Sequence, residues 1–153
     1  MTPEQARAWA AFLANTGRTG SPFEIDCFGD TPALADELGA LVLAGTKQAT
    51  CALVREYTAR GLDPPQPGAL SLILYGRAAP LCVVETTHVA IAPVSAVDAA
   101  FAWDEGEGDR TLASWLADHR AYFERVAARL NFTYTDAEPA VFERFQVVWR
   151  AAP

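Results

Sequence analysis

The sequence has almost no lysine. Of the twelve basic residues in this 153-residue chain, Lys47 is the only lysine, and the others are arginines. Arginine can replace lysine on most solvent-exposed faces, but not where the chemistry needs a compact amine that can lose a proton. A single lysine in such a background therefore marks position 47 as a candidate functional residue. Its retention by chance stays open on composition alone.

Long apolar runs and an excess of positive charge are also absent. No run approaches the roughly 20 apolar residues that cross a bilayer. The polar start Thr2-Pro3-Glu4-Gln5 does not resemble a secretory signal, so we expect a cytoplasmic protein. The net charge of −7 would repel a long nucleic-acid backbone, which is bound through many lysines and arginines. This balance favours a small, neutral or weakly charged ligand.

Cysteine and histidine are too sparse for a disulfide framework or a metal centre. The three cysteines, Cys27, Cys51 and Cys82, have no CxxC spacing and lie in apolar contexts, which predicts buried free thiols. His88 and His119 show no ligand spacing, and His119 falls within an apolar helical stripe. We therefore expect no metal, no cofactor and no catalytic histidine.

The spacing of apolar residues predicts an α+β fold in a single domain over residues 1–153. Threonine caps followed by proline open helices at about 3–15 and 31–45. Further helices are expected over 50–61, 95–101 and 112–130, and strands over 23–27, 69–75, 81–91 and 141–149. The two central strands are separated by only about five residues, so we expect them to form an antiparallel hairpin.

Three polar residues could carry chemistry. Lys47 and Thr50 share a side if their segment is helical and lie on opposite sides if it is extended. Lysine can activate a threonine hydroxyl as a nucleophile. Alternatively, Lys47 complements a helix dipole and Thr50 caps the next helix. Glu85, within an apolar strand, either faces solvent by alternation or points into a barrel mouth as an acid/base.

An acidic glycine loop, Glu105-Gly106-Glu107-Gly108-Asp109, precedes the long helix. Carboxylates at a helix start are favoured by the dipole, which accounts for Asp109 without any function. A metal is not expected, because loops that bind hard cations supply more regularly spaced oxygens. The alternative is the rim of a pocket, where Tyr75 and Trp103 would offer flat surfaces to a base.

The motif Gly45-x-Lys47-x-x-Thr50 resembles the G-x-K-x-x-T signature of the ASCH domain superfamily. Further segments resemble its YhfF-like branch, in the same order along the chain: Phe28-Gly29-Asp30, Pro67-Gly68, Val83-Val84-Glu85-Thr86-Thr87 and the acidic glycine loop. The resemblance covers about Phe28 to Trp149. It implies a PUA-like fold, in which a small β-barrel is flanked by helices, with an additional N-terminal helix here.

The resemblance also implies a pocket near the lysine motif that takes a modified nucleoside, a nucleobase or single-stranded RNA. Some ASCH proteins are amidohydrolases that deacetylate N(4)-acetylcytidine. Carried over, Thr50 would be the nucleophile, Lys47 its activator and Glu85 the acid/base. A helix at Thr50 departs from the strand expected in those enzymes and would turn Thr50 away from Lys47. The expected pocket residues are Gly45, Tyr75, Trp103, Glu105, Glu107 and Asp109.

Non-catalytic binding and ribonuclease activity, which is reported for other members, stay as alternatives. A homodimer also stays open.

Overall fold

A computed structural model describes residues 1–152 of the chain. Its centre is one curled sheet, a half-barrel, with the strand order β1-β3-β4-β5-β2. The strands are β1 (Glu24–Asp26), β2 (Ala49–Leu53), β3 (Leu70–Leu74), β4 (Pro80–Pro93) and β5 (Pro139–Arg150). Among these five strands the β1–β3 pair is parallel, and the other neighbours are antiparallel. The expected α+β, PUA-like architecture and the antiparallel hairpin are confirmed.

Within residues 1–152, five α-helices surround the sheet. They are α1 (Pro3–Thr16), α2 (Pro32–Ala44), α3 (Val54–Ala59), α4 (Ala99–Glu105) and α5 (Leu112–Leu130). The side chains of Thr2, Thr31 and Thr111 accept hydrogen bonds from backbone amides in the first turns of α1, α2 and α5. The helix expected over 95–101 is instead a 3-10 turn, Val94–Ala96, followed by α4, which Asp98 caps.

The core lies on both faces of the sheet. Helix α1 packs Trp9 and Phe12 against Leu72 and Val83 on one face. Helix α5 contributes Phe123, Val126 and Ala127 to a larger cluster that includes strand β2. The sheet is therefore held between α1 and α5, and the open side of its curl remains for a cleft.

The structure corrects the helix predicted from Thr50 to Gly61. Residues Ala49–Leu53 form strand β2, and the helix begins only at Val54. The run is short and apolar, and such a run does not distinguish a strand from a buried helix. Antiparallel pairing with β5 decides the outcome, since alternate residues of β2 are buried. Thr50 is one of the half-buried residues between them.

Candidate functional site

The backbone around Lys47 is fixed at the junction between α2 and β2. Gly45 ends α2 in the left-handed region at φ 78°, where glycine is unstrained. The amides of Thr46 and Lys47 both donate to the Leu41 carbonyl. Gln48 then donates to the Asp104 carbonyl at 2.8 Å, so this junction is tied to the end of α4.

Gly106 allows the acidic glycine loop to reach this junction. A Cβ on Gly106 would lie 2.3 Å from the Thr46 carbonyl oxygen, closer than any side chain could be placed. The residue also has φ +72°. Both observations require glycine here. The close approach brings Glu105 and Glu107, on either side of Gly106, up to Lys47.

The Lys47 ammonium lies in a closed cluster of acceptors. Its side chain is 1% exposed. The Nζ atom lies 2.7 Å from Glu107 Oε1, 2.9 Å from the Ala49 carbonyl oxygen and 3.5 Å from Glu105 Oε1. An ammonium has three hydrogens to donate. Three acceptors therefore satisfy Lys47 without any ligand.

Glu105 is the carboxylate at the centre of the cluster. Its side chain is 2% exposed and accepts hydrogen bonds from Trp115 Nε1 at 2.6 Å and from His119 Nε2 at 2.8 Å. Burial by itself would raise the pKa of Glu105. The Lys47 and His119 charges and these hydrogen bonds outweigh burial and leave the pKa below its ordinary value.

Both ring nitrogens of His119 face acceptors. Nδ1 lies 2.9 Å from the Trp115 carbonyl oxygen, and Nε2 lies against Glu105. The ring satisfies both contacts only when it carries two protons. Burial by itself would lower the pKa of His119, but the Glu105 carboxylate more than offsets it, and the pKa is raised. His119 also stacks on Trp115, with ring centroids 3.8 Å apart.

Glu105, Glu107 and His119 bring ligand atoms within 4.8 Å of one another, a spacing that a metal ion could use. The Lys47 ammonium already lies against both carboxylates, and the His119 nitrogen donates to Glu105. The cation in this place is therefore the lysine, and the donor set gives no reason to add a metal.

A cleft of about 970 Å³ opens beside the cluster, between the sheet, the loop after β1 and helix α5. Thr50 and Glu107 line it, whereas Lys47 lies behind Glu105 and Glu107 and is not part of its surface. Aromatic side chains form much of the wall, namely Phe23, Phe28, Tyr57, Tyr122 and Phe145. The polar remainder is strongly acidic, with eight carboxylates: Glu24, Asp26, Asp30, Glu56, Glu105, Glu107, Asp118 and Glu143.

The arginines of the cleft are engaged by its own carboxylates. Arg60 lies 3.1 Å from Glu24, Arg125 lies 2.8 Å from Asp30, and Arg129 lies 3.9 Å from Glu56. Their charges are therefore compensated within the protein. The wall carries no cluster of uncompensated arginines for phosphates among residues 1–152.

Glu143 differs from the other cleft carboxylates. It lies on β5, directly opposite Thr50 on β2, and the two side chains share one face of the sheet. It is 9% exposed, and its Oε1 accepts a 2.6 Å hydrogen bond from the Thr86 hydroxyl. Burial raises the pKa of Glu143 above its ordinary value.

The structure does not bring Glu85 together with Lys47 and Thr50. The Glu85 carboxylate pairs with Arg18, 2.8 Å away, just beyond α1, and this hydrogen bond lowers its pKa. Val84 lines the cleft. Neighbouring strand residues face opposite sides, so Glu85 lies on the α1 side of the sheet. The carboxylates that do meet Lys47 are Glu107 and, at a longer distance, Glu105.

The other expected pocket residues divide in the same way. Glu105 and Glu107 line the cleft, whereas Gly45, Tyr75, Trp103 and Asp109 do not. Tyr75 projects from the β3–β4 turn. Trp103 is 57% exposed, and the Arg110 guanidinium carbon lies over its ring, 3.8 Å from the ring centroid. Asp109 accepts hydrogen bonds from Thr111 at the start of α5, which lower its pKa.

Sequence reasoning missed Glu143 and the Trp115–His119 pair. A signal for Glu143 exists, because Val141, Glu143 and Phe145 alternate along a strand whose apolar members are buried. Such alternation places the carboxylate on a buried face. For Trp115 and His119 the helical spacing of four residues predicts contact with each other, but not with Glu105.

Comparison with known proteins identifies close structural relatives. A family model described as "ASCH domain" matches residues 24–149. The crystal structure of an ASCH domain from Lactobacillus crispatus JV V101 is 30% identical, covers 98% of this chain and 97% of its own, and superposes with a TM-score of 0.90. A protein from Enterococcus faecalis V583 is 29% identical over 98% of this chain and 91% of its own, also with a TM-score of 0.90. No curated protein matches.

Proposed function

The chain belongs to the ASCH domain family, and from that premise we propose that its acidic cleft binds the base of a nucleoside. The observation that carries the proposal is the combination of an aromatic wall with carboxylate acceptors in one cleft. Small-molecule sites are mostly apolar concavities of roughly 300–1,000 Å³ with a few polar groups that fix orientation. The cleft reaches the upper end of that range.

The charge of the cleft favours a nucleoside over a nucleotide. Bringing a phosphate into a cleft lined by more carboxylates than arginines costs free energy, because like charges repel in a partly desolvated site. The arginines that could neutralise a phosphate already pair with Glu24, Asp30 and Glu56. Single-stranded RNA would enter this proposal through an unpaired base inserted into the cleft, with its backbone left in solvent.

Calorimetric titration tests the binding proposal. Titrations with cytidine, with N(4)-acetylcytidine and with the 5′-monophosphate of each should give tighter binding for the nucleosides, by about tenfold or more. Nucleoside binding should change little with salt, because no phosphate contact releases counterions. Failure of every nucleoside to bind would overturn the proposal. Tighter binding of the monophosphates would overturn its electrostatic basis.

A second candidate function, amide hydrolysis on an N(4)-acylated cytidine, is favoured by one contact. Glu107 lines the cleft together with Thr50 and lies 2.7 Å from Lys47 Nζ. In this scheme the Thr50 hydroxyl oxygen attacks the acyl carbon while Glu107 accepts its proton. The carbon–nitrogen bond then breaks, the departing amine takes that proton, and water releases the acid from the threonine ester. Lys47 holds and polarises Glu107.

Two substitutions separate hydrolysis from binding. Thr50→Val removes the hydroxyl and keeps the shape of the side chain, so it should abolish turnover of N(4)-acetylcytidine while leaving its affinity within about threefold. Glu85→Gln, outside the cleft, is the matched control and should keep full activity. Turnover that persists in Thr50→Val would eliminate the threonine mechanism. An inactive wild type leaves binding alone as the function.

The remaining expectations receive less support. A ribonuclease would need free cationic groups at the scissile phosphate, and the cleft arginines are engaged. None of the helices within residues 1–152 combines the length and the apolar character that a membrane crossing requires. A cytoplasmic location and a homodimer both stay predictions, the first checked by fractionation of cells and the second by light scattering.

A further inference from the structure

Glu143 is a buried carboxylate that forms no salt bridge within residues 1–152. Its exposed fraction is 9%, and its Oε1 is held by the neutral hydroxyl of Thr86. Within residues 1–152, its Oε2 has no hydrogen-bond partner and no arginine or lysine lies within 4.0 Å. The side chain lines the cleft, and among the described residues no fully buried side-chain oxygen lacks a hydrogen-bond partner, so the unpartnered Oε2 is accessible to solvent.

Most other carboxylates of the cleft form ion pairs. Arg60 pairs with both Glu24 and Asp26, and Arg125 pairs with Asp30. Arg129 lies near Glu56, and Lys47 forms ion pairs with both Glu105 and Glu107. Among the described residues Asp118 has no cationic partner either, but its side chain is exposed, so water solvates it. In the part of the chain that the structure describes, Glu143 is therefore the one carboxylate of the cleft that is buried and forms no salt bridge.

Removing a carboxylate from water costs free energy unless a donor or an opposite charge replaces the lost solvation. Burial raises the pKa of Glu143 and the nearby Glu24 charge adds to that effect, whereas the Thr86 hydrogen bond and the more distant Lys47 charge lower the pKa without offsetting burial. A positively charged nitrogen placed in the cleft would supply an opposite charge and donate to the free oxygen. Thr50, directly across from Glu143 on the neighbouring strand, adds a hydroxyl to the same place.

We propose that Glu143 and Thr50 form a subsite for a protonated amine, and that the ligand of the cleft is a nucleoside bearing an aminoalkyl group. This inference rests on the proposed function for the nucleoside part. The ammonium donates to the free oxygen of Glu143, whose other oxygen Thr86 holds in place, and it also meets the Thr50 hydroxyl. The base lies against the aromatic wall.

Two matched pairs of probes test the subsite. The first pair is 5-(aminomethyl)uridine and 5-(hydroxymethyl)uridine, which differ by one charged group of nearly equal size. The second pair, benzylamine and benzyl alcohol, makes the same change without a nucleoside. Wild-type protein should bind each amine at least about tenfold more tightly than the matching alcohol. Glu143→Gln should remove that preference, and Glu85→Gln, on the other side of the sheet, should keep it.

The outcomes separate the inference from the proposed function. Equal binding of both nucleosides in the wild type overturns the subsite while the nucleoside function stands. A preference for benzylamine that depends on Glu143, with no nucleoside bound, supports the subsite and overturns the nucleoside function. Loss of all binding overturns both, and a preference that survives in Glu143→Gln overturns the role of Glu143. If the Gln variant does not fold, Glu143→Met is measured in its place, and the wild-type preference still decides whether the subsite exists.

Discussion

Glu105 and Glu143 are both buried in the wall of one cleft, and they have opposite surroundings. Glu105 receives donors from Lys47, Trp115 and His119, so its charge is compensated within the fold. Glu143 receives a single hydroxyl, from Thr86. Both oxygens of Glu105 are occupied by hydrogen bonds from the protein, and these bonds fix the shape of the site. Glu143 retains the capacity to accept a hydrogen bond and a positive charge from a ligand.

The largest expected effect comes from breaking the closed cluster at its cation. Lys47→Met leaves Glu105 and Glu107 buried without the ammonium, and removal of one partner from a buried ion pair costs about 3–5 kcal/mol. Urea unfolding should report that loss. As a control, Arg125→Met breaks the exposed pair with Asp30 and should change the unfolding free energy by less than about 1 kcal/mol. Similar values for both variants would contradict a closed cluster.

The next effect comes from the contact that brings the acidic loop to Lys47. Gly106→Ala combines a left-handed backbone with a Cβ 2.3 Å from the Thr46 carbonyl oxygen. We expect it to destabilise the protein by about 1–3 kcal/mol more than Gly45→Ala, because overpacking adds to backbone strain. Gly45 has a similar φ of +78° but nothing within 4 Å of the added atom. Thermal unfolding of the two variants checks the difference, and equal losses would refute the steric argument.

The third prediction concerns pH. The pKa of His119 is raised above its ordinary 6.5, since Glu105 outweighs burial. The folded state therefore holds the proton at pH values where the unfolded chain has lost it. This stabilisation is fully present below about pH 6.5 and is lost as pH rises through the higher pKa of the folded state. Urea unfolding of the wild type should show that decline.

The variant His119→Gln should flatten the decline, because glutamine does not titrate. The matched control His88→Gln, at an exposed histidine, should leave it unchanged. A wild type whose unfolding free energy is constant from about pH 6 to about pH 9 would mean that His119 is not linked to folding.

The smallest effect has the opposite sign. Because burial raises the pKa of Glu143, ionising this carboxyl costs more free energy in the folded protein than in the unfolded chain. Glu143→Gln should therefore stabilise the ligand-free protein by about 0.5–1 kcal/mol. The same change at Glu105 should destabilise it, since three donors lose a charged acceptor. Thermal unfolding of the Glu143→Gln and Glu105→Gln variants measures both effects. Destabilisation by both variants would contradict the proposed difference between the two carboxylates.

The fold was more accessible from the sequence than the site. Threonine caps, the hairpin and the long amphipathic helix α5 are local patterns, and they gave the correct element types. The spacing of apolar residues predicts a helix from Thr50, but the pairing of residues 49–53 with β5, about 90 residues later in the chain, makes them a strand.

The site depends on which side of the sheet each carboxylate faces. Lys47 was found from composition and motif, and the structure gives it Glu107 as its nearest carboxylate. Glu85 lies on the α1 side of β4, an orientation that one residue of register would reverse. Glu105 contacts Trp115 and His119, 10 and 14 residues later in the chain, and Lys47, 58 residues earlier. The contact with Lys47 depends on the close approach of Gly106 to Thr46. No local pattern encodes that contact.

The pairing of β2 with β5 alone has a consequence during synthesis on the ribosome. Strand β2 carries Thr50 and is made early, but its partner residues 140–144 emerge about 90 residues later. Until then the backbone of residues 49–53 has no strand β5 to pair with, and its apolar side chains lack that neighbour in the nascent chain. The two sides of the amine subsite are therefore among the last parts to meet. A chain arrested before residue 139 would carry the lysine motif but no cleft.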